Sequence, residues 1–177
     1  MQVLETDRLV LHELQAADAP FVLELVNDPD WLRNIGDRGV RNLDDARGYI
    51  LRGPQAMYAR HGFGLYLAES KSRHQPVGIC GLVKRDWLED VDLGFALLPQ
   101  FRGRGHAHEA AAGVLAHART TLGMTRIAAI VAPDNHHSIR VLTKLGMQLE
   151  RMVTPPGEAR ELCLMALALA PAPGTAT

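Results

Sequence analysis

Along this chain apolar positions alternate, then recur every three to four residues, then alternate again, and the switches mark its elements. Thr6–Leu14 (TDRLVLHEL) sets Leu9, Leu11 and Glu13 against Arg8, Val10 and His12, a period of two that predicts a strand. Asp18-Ala-Pro opens a helix with Asp18 as its cap. Phe21 and Leu25, and Val22 and Val26, stand four apart, and Asn27-Asp-Pro-Asp ends the run. Asn42–Leu51 reads as a second amphipathic helix capped by Asn42. Gly62–Glu69, Val77–Lys84 and Val91–Leu98 read as three successive strands, with a polar turn at Ser70–Pro76. After Pro99–Gly105 a long helix runs to about Leu122, its alanines, valine and leucines at helical spacing, and Gly123 stops it. Arg126–Ala132 predicts a buried strand and Asn135–Leu145 a short helix closed by Gly146. Met147–Val153 and Arg160–Ala168 predict two last strands around Pro155-Pro156-Gly157.

Three consecutive strands predict an antiparallel meander, and the strand–helix–strand unit at Val91–Ala132 predicts one parallel pair. The expected class is α/β (α+β). It is a single domain over residues 1–170, with a mixed central sheet of about seven strands and helices on both faces. The length, 177 residues, suits one such domain. Residues 171–177, rich in Pro, Ala and Gly, read as a disordered tail.

Charge narrows the function. Lys+Arg number 19 against 20 Asp+Glu, a net charge of -1, so no broad basic field exists to hold a nucleic-acid backbone. An anionic ligand must be gripped by a local device. Cys80 and Cys163 sit in apolar runs without metal-ligand spacing and read as reduced core residues. The start lacks a signal-peptide pattern, and no apolar run approaches the roughly 20 residues of a membrane span. A cytoplasmic protein with no membrane partner is expected.

The local device is Leu98-Pro-Gln-Phe-Arg-Gly-Arg-Gly-His-Ala. A buried strand runs out, the chain turns through two glycines, and a helix begins. Glycines permit positive φ and close approach of the main chain, and a helix start presents free N–H groups with partial positive charge. Together they make a cradle for a phosphate or pyrophosphate, with Arg102 and Arg104 adding charge. The plain alternative is a strand–helix loop in which Gly serves the turn and Arg solvates it. No GxxxxGK[ST] is present, and Gly103-Arg-Gly-His-Ala-His lacks the third glycine of a dinucleotide fingerprint.

With these residues in place the chain resembles the GNAT superfamily of acyl-CoA N-acyltransferases. Its signature, Q/R-x-x-G-x-G/A, is matched by Arg102-Gly-Arg-Gly-His-Ala, with Arg102, Gly105 and Ala107 at the defining places. Asp-Leu-Gly-Phe-Ala-Leu-Leu-Pro before it and Asn135-His-His-Ser-Ile-Arg-Val-Leu-Thr-Lys-Leu-Gly-Met after the next strand extend the match. The opening Glu5-Thr-Asp-Arg-Leu-Val-Leu is similar to the Rim-type subgroup, the ribosomal-protein N-terminal acetyltransferases. The resemblance implies a GNAT-like fold and acetyl-CoA as co-substrate. Main-chain N–H groups of Gly103, Arg104, Gly105, His106 and Ala107 would hold its pyrophosphate, and Ala96, Leu97 and Leu98 would pair with its pantetheine arm. Asn135 and Ser138 match the Asn-x-x-Ser pattern that faces the thioester. Homodimers are common among such proteins, and nothing in this sequence identifies an interface.

The implied reaction is transfer of an acetyl group to a primary amine by direct attack, the amine belonging to a protein N-terminus or a small molecule. An α-amino group has a pKa near 8 and a Lys near 10.4, so a base is useful. Asp92 is the first candidate, on the same face as Ala96 if the strand is regular; it could instead be a solvated strand-end charge. Many members carry a Tyr where this chain has Leu142, so Ser138 is the expected donor to the leaving sulfur, unless it only caps a helix. His106 with His108, and His136 with His137, lack a third ligand, and no metal is expected. Asp28–Gly39 and Val153–Glu158 correspond to acceptor-binding segments, where Trp31 could stack and Asp28, Asp30, Asp37 and Glu158 could meet a cation. The missing Tyr leaves an alternative: a catalytically idle acyl-CoA-binding sensor of the same fold.

Overall fold

The computed structural model describes residues 1–170. Among them eight strands form one sheet: β1 (Gln2–Glu5), β2 (Leu9–Glu13), β3 (Leu65–Ser70), β4 (Gln75–Val83), β5 (Asp92–Leu97), β6 (Arg126–Val131), β7 (Gln148–Val153) and β8 (Leu162–Ala168). Their spatial order is β1-β2-β3-β4-β5-β6-β8-β7. Every neighbouring pair is antiparallel except β5 and β6, joined in parallel through a helical crossover. The mixed sheet, the meander and the single parallel pair are as the hydrophobic pattern predicts. The strand count is one higher than expected, because Gln2–Glu5, ahead of the first predicted strand, forms a strand of its own that folds back on Leu9–Glu13. The predicted tail, 171–177, lies outside the described residues.

Six α-helices accompany the sheet among these residues: α1 (Ala19–Val26), α2 (Pro29–Asn34), α3 (Leu43–Ile50), α4 (Ala56–His61), α5 (His106–Thr120) and α6 (His136–Lys144). From Val77 to Leu82 every residue of β4 is buried, so the centre of the sheet is covered on both faces. α5 lies against β4, β5 and the β1–β2 hairpin. Its apolar stripe is made of small residues, and Ala110, Ala111, Val114 and Ala118 are fully buried. Gly113 belongs to the same contact: a Cβ there would meet Thr6 Cγ2 at 2.9 Å, so glycine lets the helix lie close to the hairpin. α1 packs on α3. α2 is an element the sequence pattern missed, since Pro29 reads as a stop but stands at the first turn of a new helix, with the Asp28 side chain capping it. α3 and α4 are joined by a π-helical turn, Leu51–Gln55, that absorbs Pro54.

Candidate active site

β5 and β6 begin as neighbours and then part. Ala128 donates to Val91 O at 2.9 Å, and Asp92–Ala128 is the one register pair between the strands. The next rung would send the Ile130 N–H to a carbonyl of β5. It goes instead to the Asp92 side chain, Oδ1 at 3.2 Å. Arg85 Nε donates to the other oxygen at 2.7 Å. Asp92 is 1% exposed, so this carboxylate is embedded in the sheet and is not a solvated end charge. Burial pushes its pKa up from the ordinary carboxylate value, and the Arg85 guanidinium and the Ile130 N–H oppose that rise. Asp92 pairs with Val83 and Ala96 with Ile79, which places Asp92 and Ala96 on one face as predicted.

Beyond that rung β5 offers its free edge to the gap. Leu98 N–H donates to Val77 O at 2.9 Å, which sets the phase of the β4–β5 ladder. Residues 92, 94, 96 and 98 therefore bond to β4, and Leu93, Phe95 and Leu97 turn their main-chain groups the other way. Of the expected trio Ala96, Leu97 and Leu98, only Leu97 faces the gap, and Phe95 joins it. The phase depends on the partner strand, and the β5 sequence does not carry it.

After β5 the chain makes a 3-10 turn, Pro99–Phe101, and enters the glycine turn. Gly103 and Gly105 have φ of +71° and +81°. Among the described residues the N–H groups of Gly103 through His108 donate to no protein acceptor; the first bond of α5 is Glu109 N–H to Gly105 O at 3.0 Å. Six successive N–H groups without a protein acceptor stand at the start of a 15-residue helix, the five of Gly103 to Ala107 expected from the sequence and that of His108. The turn is anchored from the far edge of the sheet. Arg8 donates through Nη1 to Arg104 O at 2.9 Å and through its main-chain N–H to Glu109 Oε1 at 2.7 Å, and Thr6 Oγ1 donates to the same oxygen at 2.6 Å. The Thr-Asp-Arg segment, expected to open the first strand, thus forms the turn between β1 and β2 and braces the cradle.

One side chain expected to add charge to the cradle, that of Arg102, points elsewhere. Arg102 reaches back to Leu97 O at 3.0 Å, Asp30 at 2.6 Å and Asp28 at 2.5 Å. Its main-chain N–H is taken by Pro99 O. Arg102 therefore ties the cradle to α2 and gives the cradle no donor. His106 turns its ring to the Phe101 carbonyl, 3.2 Å from Nδ1, and contributes only its main-chain N–H.

The cradle opens on two connected hollows that share Leu97, Gly103, Ala107 and His137. One lies outside the sheet beside Arg140 and Lys144. The other, of about 540 Å³, lies between β5, β6, α2 and α6. Asp92, Ala96, Ser138 and Leu142 line it, together with Trp31, Arg38, Tyr49 and Arg85. Asn135 caps α6, its Oδ1 accepting from Ser138 N–H at 3.2 Å. Ser138 is thus the capped residue and not the cap, and its hydroxyl makes no hydrogen bond among the described residues. Leu142, 2% exposed, is apolar wall. Asp28 and Asp30 are taken by Arg102, and Asp37 by Arg41, whose guanidinium holds the Asp37 pKa down at about 2. Tyr49, Arg38 and Arg85 were missed in the sequence; the available signal was Tyr49 beside Ala46 and Ile50 on the buried stripe of α3. Among the described residues no three metal-ligating side chains come together. No helix there is long and apolar enough to cross a membrane.

Comparison with known proteins gives the family and the fold. A family model described as Acetyltransferase (GNAT) domain matches residues 8–148. The uncharacterized N-acetyltransferase YoaA of Bacillus subtilis is 26% identical over 150 residues, 84% of each chain. An acetyltransferase from Agrobacterium tumefaciens superposes with a TM-score of 0.80 at 24% identity, over 96% of this chain and 95% of that one. A ribosomal-protein-S5-alanine acetyltransferase from Vibrio fischeri does so with a TM-score of 0.75 at 16% identity, over 93% and 95%.

Proposed function

The chain belongs to the GNAT acetyltransferases, and from that premise we propose that it moves an acetyl group from acetyl-CoA to a primary amine by direct attack within the β5–β6 cleft. The observation that carries this reading is the continuous path from six free amides, past the unpaired edge of β5, to a cavity holding a buried carboxylate and an unbonded hydroxyl. Phosphate oxygens suit the N–H groups of Gly103 to His108, and the amides of a pantetheine arm suit Phe95 and Leu97.

Acetyl-CoA supplies an activated thioester; the chain supplies placement and proton handling. An N–H of Phe95 or Leu97 donates to the carbonyl oxygen as negative charge gathers there. Asp92, with its pKa raised, takes the amine's proton through a water. Ser138 Oγ donates to the departing sulfur, the task a Tyr at position 142 would otherwise serve. A buried Asp92 and an unbonded Ser138 hydroxyl lining one cavity favour this over an idle sensor, which needs neither group. The setting is taken as cytoplasmic, where acetyl-CoA is at hand.

Two measurements test the reading together. Calorimetry should show coenzyme A binding to the wild type and its loss in Gly105→Glu, where a side chain at φ +81° and a negative charge enter the cradle. Thiol release from acetyl-CoA should depend on an added primary amine. Unchanged binding in the variant, or no amine-dependent release, overturns it.

A further inference from the structure

The charges around the acceptor end of the cavity are unevenly satisfied. Asp30 is held by Arg102, and Asp92 by Arg85. Arg38 lines the same cavity and has neither an ion pair nor a hydrogen bond among the described residues. Arg85 spends Nε on Asp92, and its two terminal nitrogens have no acceptor there. Tyr49, half-buried between these arginines on α3, has a phenol with no hydrogen-bond partner. Three side chains with unused donors thus line the same cavity, both arginines close enough to act on the Tyr49 phenol, and no carboxylate of the cavity is left unpaired.

Resting on the acetyl-transfer reading, we propose that the acceptor is an amine carrying its own carboxylate, which Arg38, Tyr49 and the free end of Arg85 hold while the amine faces Asp92. A planar guanidinium presents parallel donors that match a carboxylate, and a phenol adds a third bond. Burial keeps the Tyr49 pKa above its ordinary value, against the pull of the two arginines, so the phenol is a donor across the physiological range. A polyamine meets the opposite situation. Its second ammonium faces Arg38 and Arg85 and gains a counter-charge only by breaking an ion pair already made. The carboxylate has two chemical sources, a free amino acid-like molecule or the acidic first residue of a peptide.

The test compares thiol release from acetyl-CoA for free amino acids against their carboxamides, with rates expressed per neutral amine. Further arms are C-terminally amidated peptides starting with Asp or Asn, and spermine. We expect kcat/KM roughly tenfold or more higher for the carboxylate member of a pair, as charge-assisted bonds provide. Preference confined to the free amino acids, or extending to Asp-peptides over Asn-peptides, identifies the source. In Arg38→Gln the carboxylate-to-carboxamide ratio should collapse toward one, and Arg38→Lys should retain part of it, with coenzyme A affinity unmoved by calorimetry. Carboxamides or spermine used as well as carboxylates overturn the inference and leave acetyl transfer standing. So does a ratio that Arg38→Gln leaves intact. No release with any amine, coenzyme A still binding, removes the acetyl-transfer reading and the inference with it.

Discussion

Asp92 Oδ1 accepts the main-chain N–H of Ile130 at 3.2 Å, so a side chain completes a rung that a strand carbonyl would otherwise fill. The same carboxylate ends the β5–β6 ladder and faces the cavity. Asp92→Asn keeps an oxygen for Ile130 and removes the base. We expect kcat to fall about a hundredfold or more, the usual size of a general-base effect, with coenzyme A affinity by calorimetry within about threefold. Both variants remove the charge opposite Arg85, but Asp92→Ala should behave differently, because it also strands the Ile130 donor. It should cost about 3 kcal/mol in urea unfolding. A kcat left unchanged in Asp92→Asn would mean that the amine's proton goes to some other base.

Asn135 and Ser138 separate stability from turnover. Asn135 Oδ1 caps α6, so Asn135→Ala should lose about 1 kcal/mol of stability. Ser138→Ala leaves that bond in place, because only the main-chain N–H of Ser138 takes part. Its stability should stay within about 0.5 kcal/mol of wild type while kcat falls roughly tenfold, the value of one hydrogen bond to a leaving group. Equal kcat in Ser138→Ala and wild type removes Ser138 from the reaction.

The cradle was legible because its cause is local: a strand edge, two glycines and a helix start occupy ten consecutive residues, and periodicity finds all three. What was not legible is set by distant partners. The break between β1 and β2 depends on Glu109, about a hundred residues away, receiving Thr6 and Arg8. Arg102 sits in the signature, yet its guanidinium is claimed by carboxylates more than seventy residues upstream. The phase of β5, and so the choice of Phe95 and Leu97 over Ala96 and Leu98, follows from its pairing with β4. Short α2 and the π turn around Pro54 were hidden because proline reads as an interruption, whereas here it begins one helix and is absorbed in another.

Glu109 gives stability a sign with pH. Burial works against its charge, but hydrogen bonds from Thr6 and Arg8 outweigh that, and its pKa lies below the ordinary value of 4.5. A carboxyl depressed in the folded state contributes fully above its unfolded pKa, and the contribution fades as pH falls through the folded one. Glu109→Gln should therefore be less stable than wild type by about 1–2 kcal/mol at pH 7, discounted for the half-exposed Arg8, with the gap closing below about pH 4. Urea unfolding at both pH values reads this directly, and a gap that persists in acid denies the ionic origin. Loosening this brace should also weaken coenzyme A binding at pH 7, because Arg8 holds the cradle through Arg104 O.

Arg102 decides between two accounts of the signature. If its charge served the phosphates, Arg102→Gln would weaken coenzyme A binding and leave the acceptor alone. The geometry places its guanidinium on Leu97 O, Asp28 and Asp30, so the variant should do the reverse. Asp28 is only 8% exposed and would be left without its counter-charge. The expected loss is about 2–3 kcal/mol of stability, with α2 less firmly held and the acceptor KM raised roughly tenfold. The amides of Gly103 to His108 do not depend on that charge, so calorimetric affinity for coenzyme A should change less than threefold. Arg102→Lys keeps the charge but cannot reach both carboxylates and the carbonyl at once, and should fall between. A large drop in coenzyme A affinity with an unmoved acceptor KM would return Arg102 to the phosphate site.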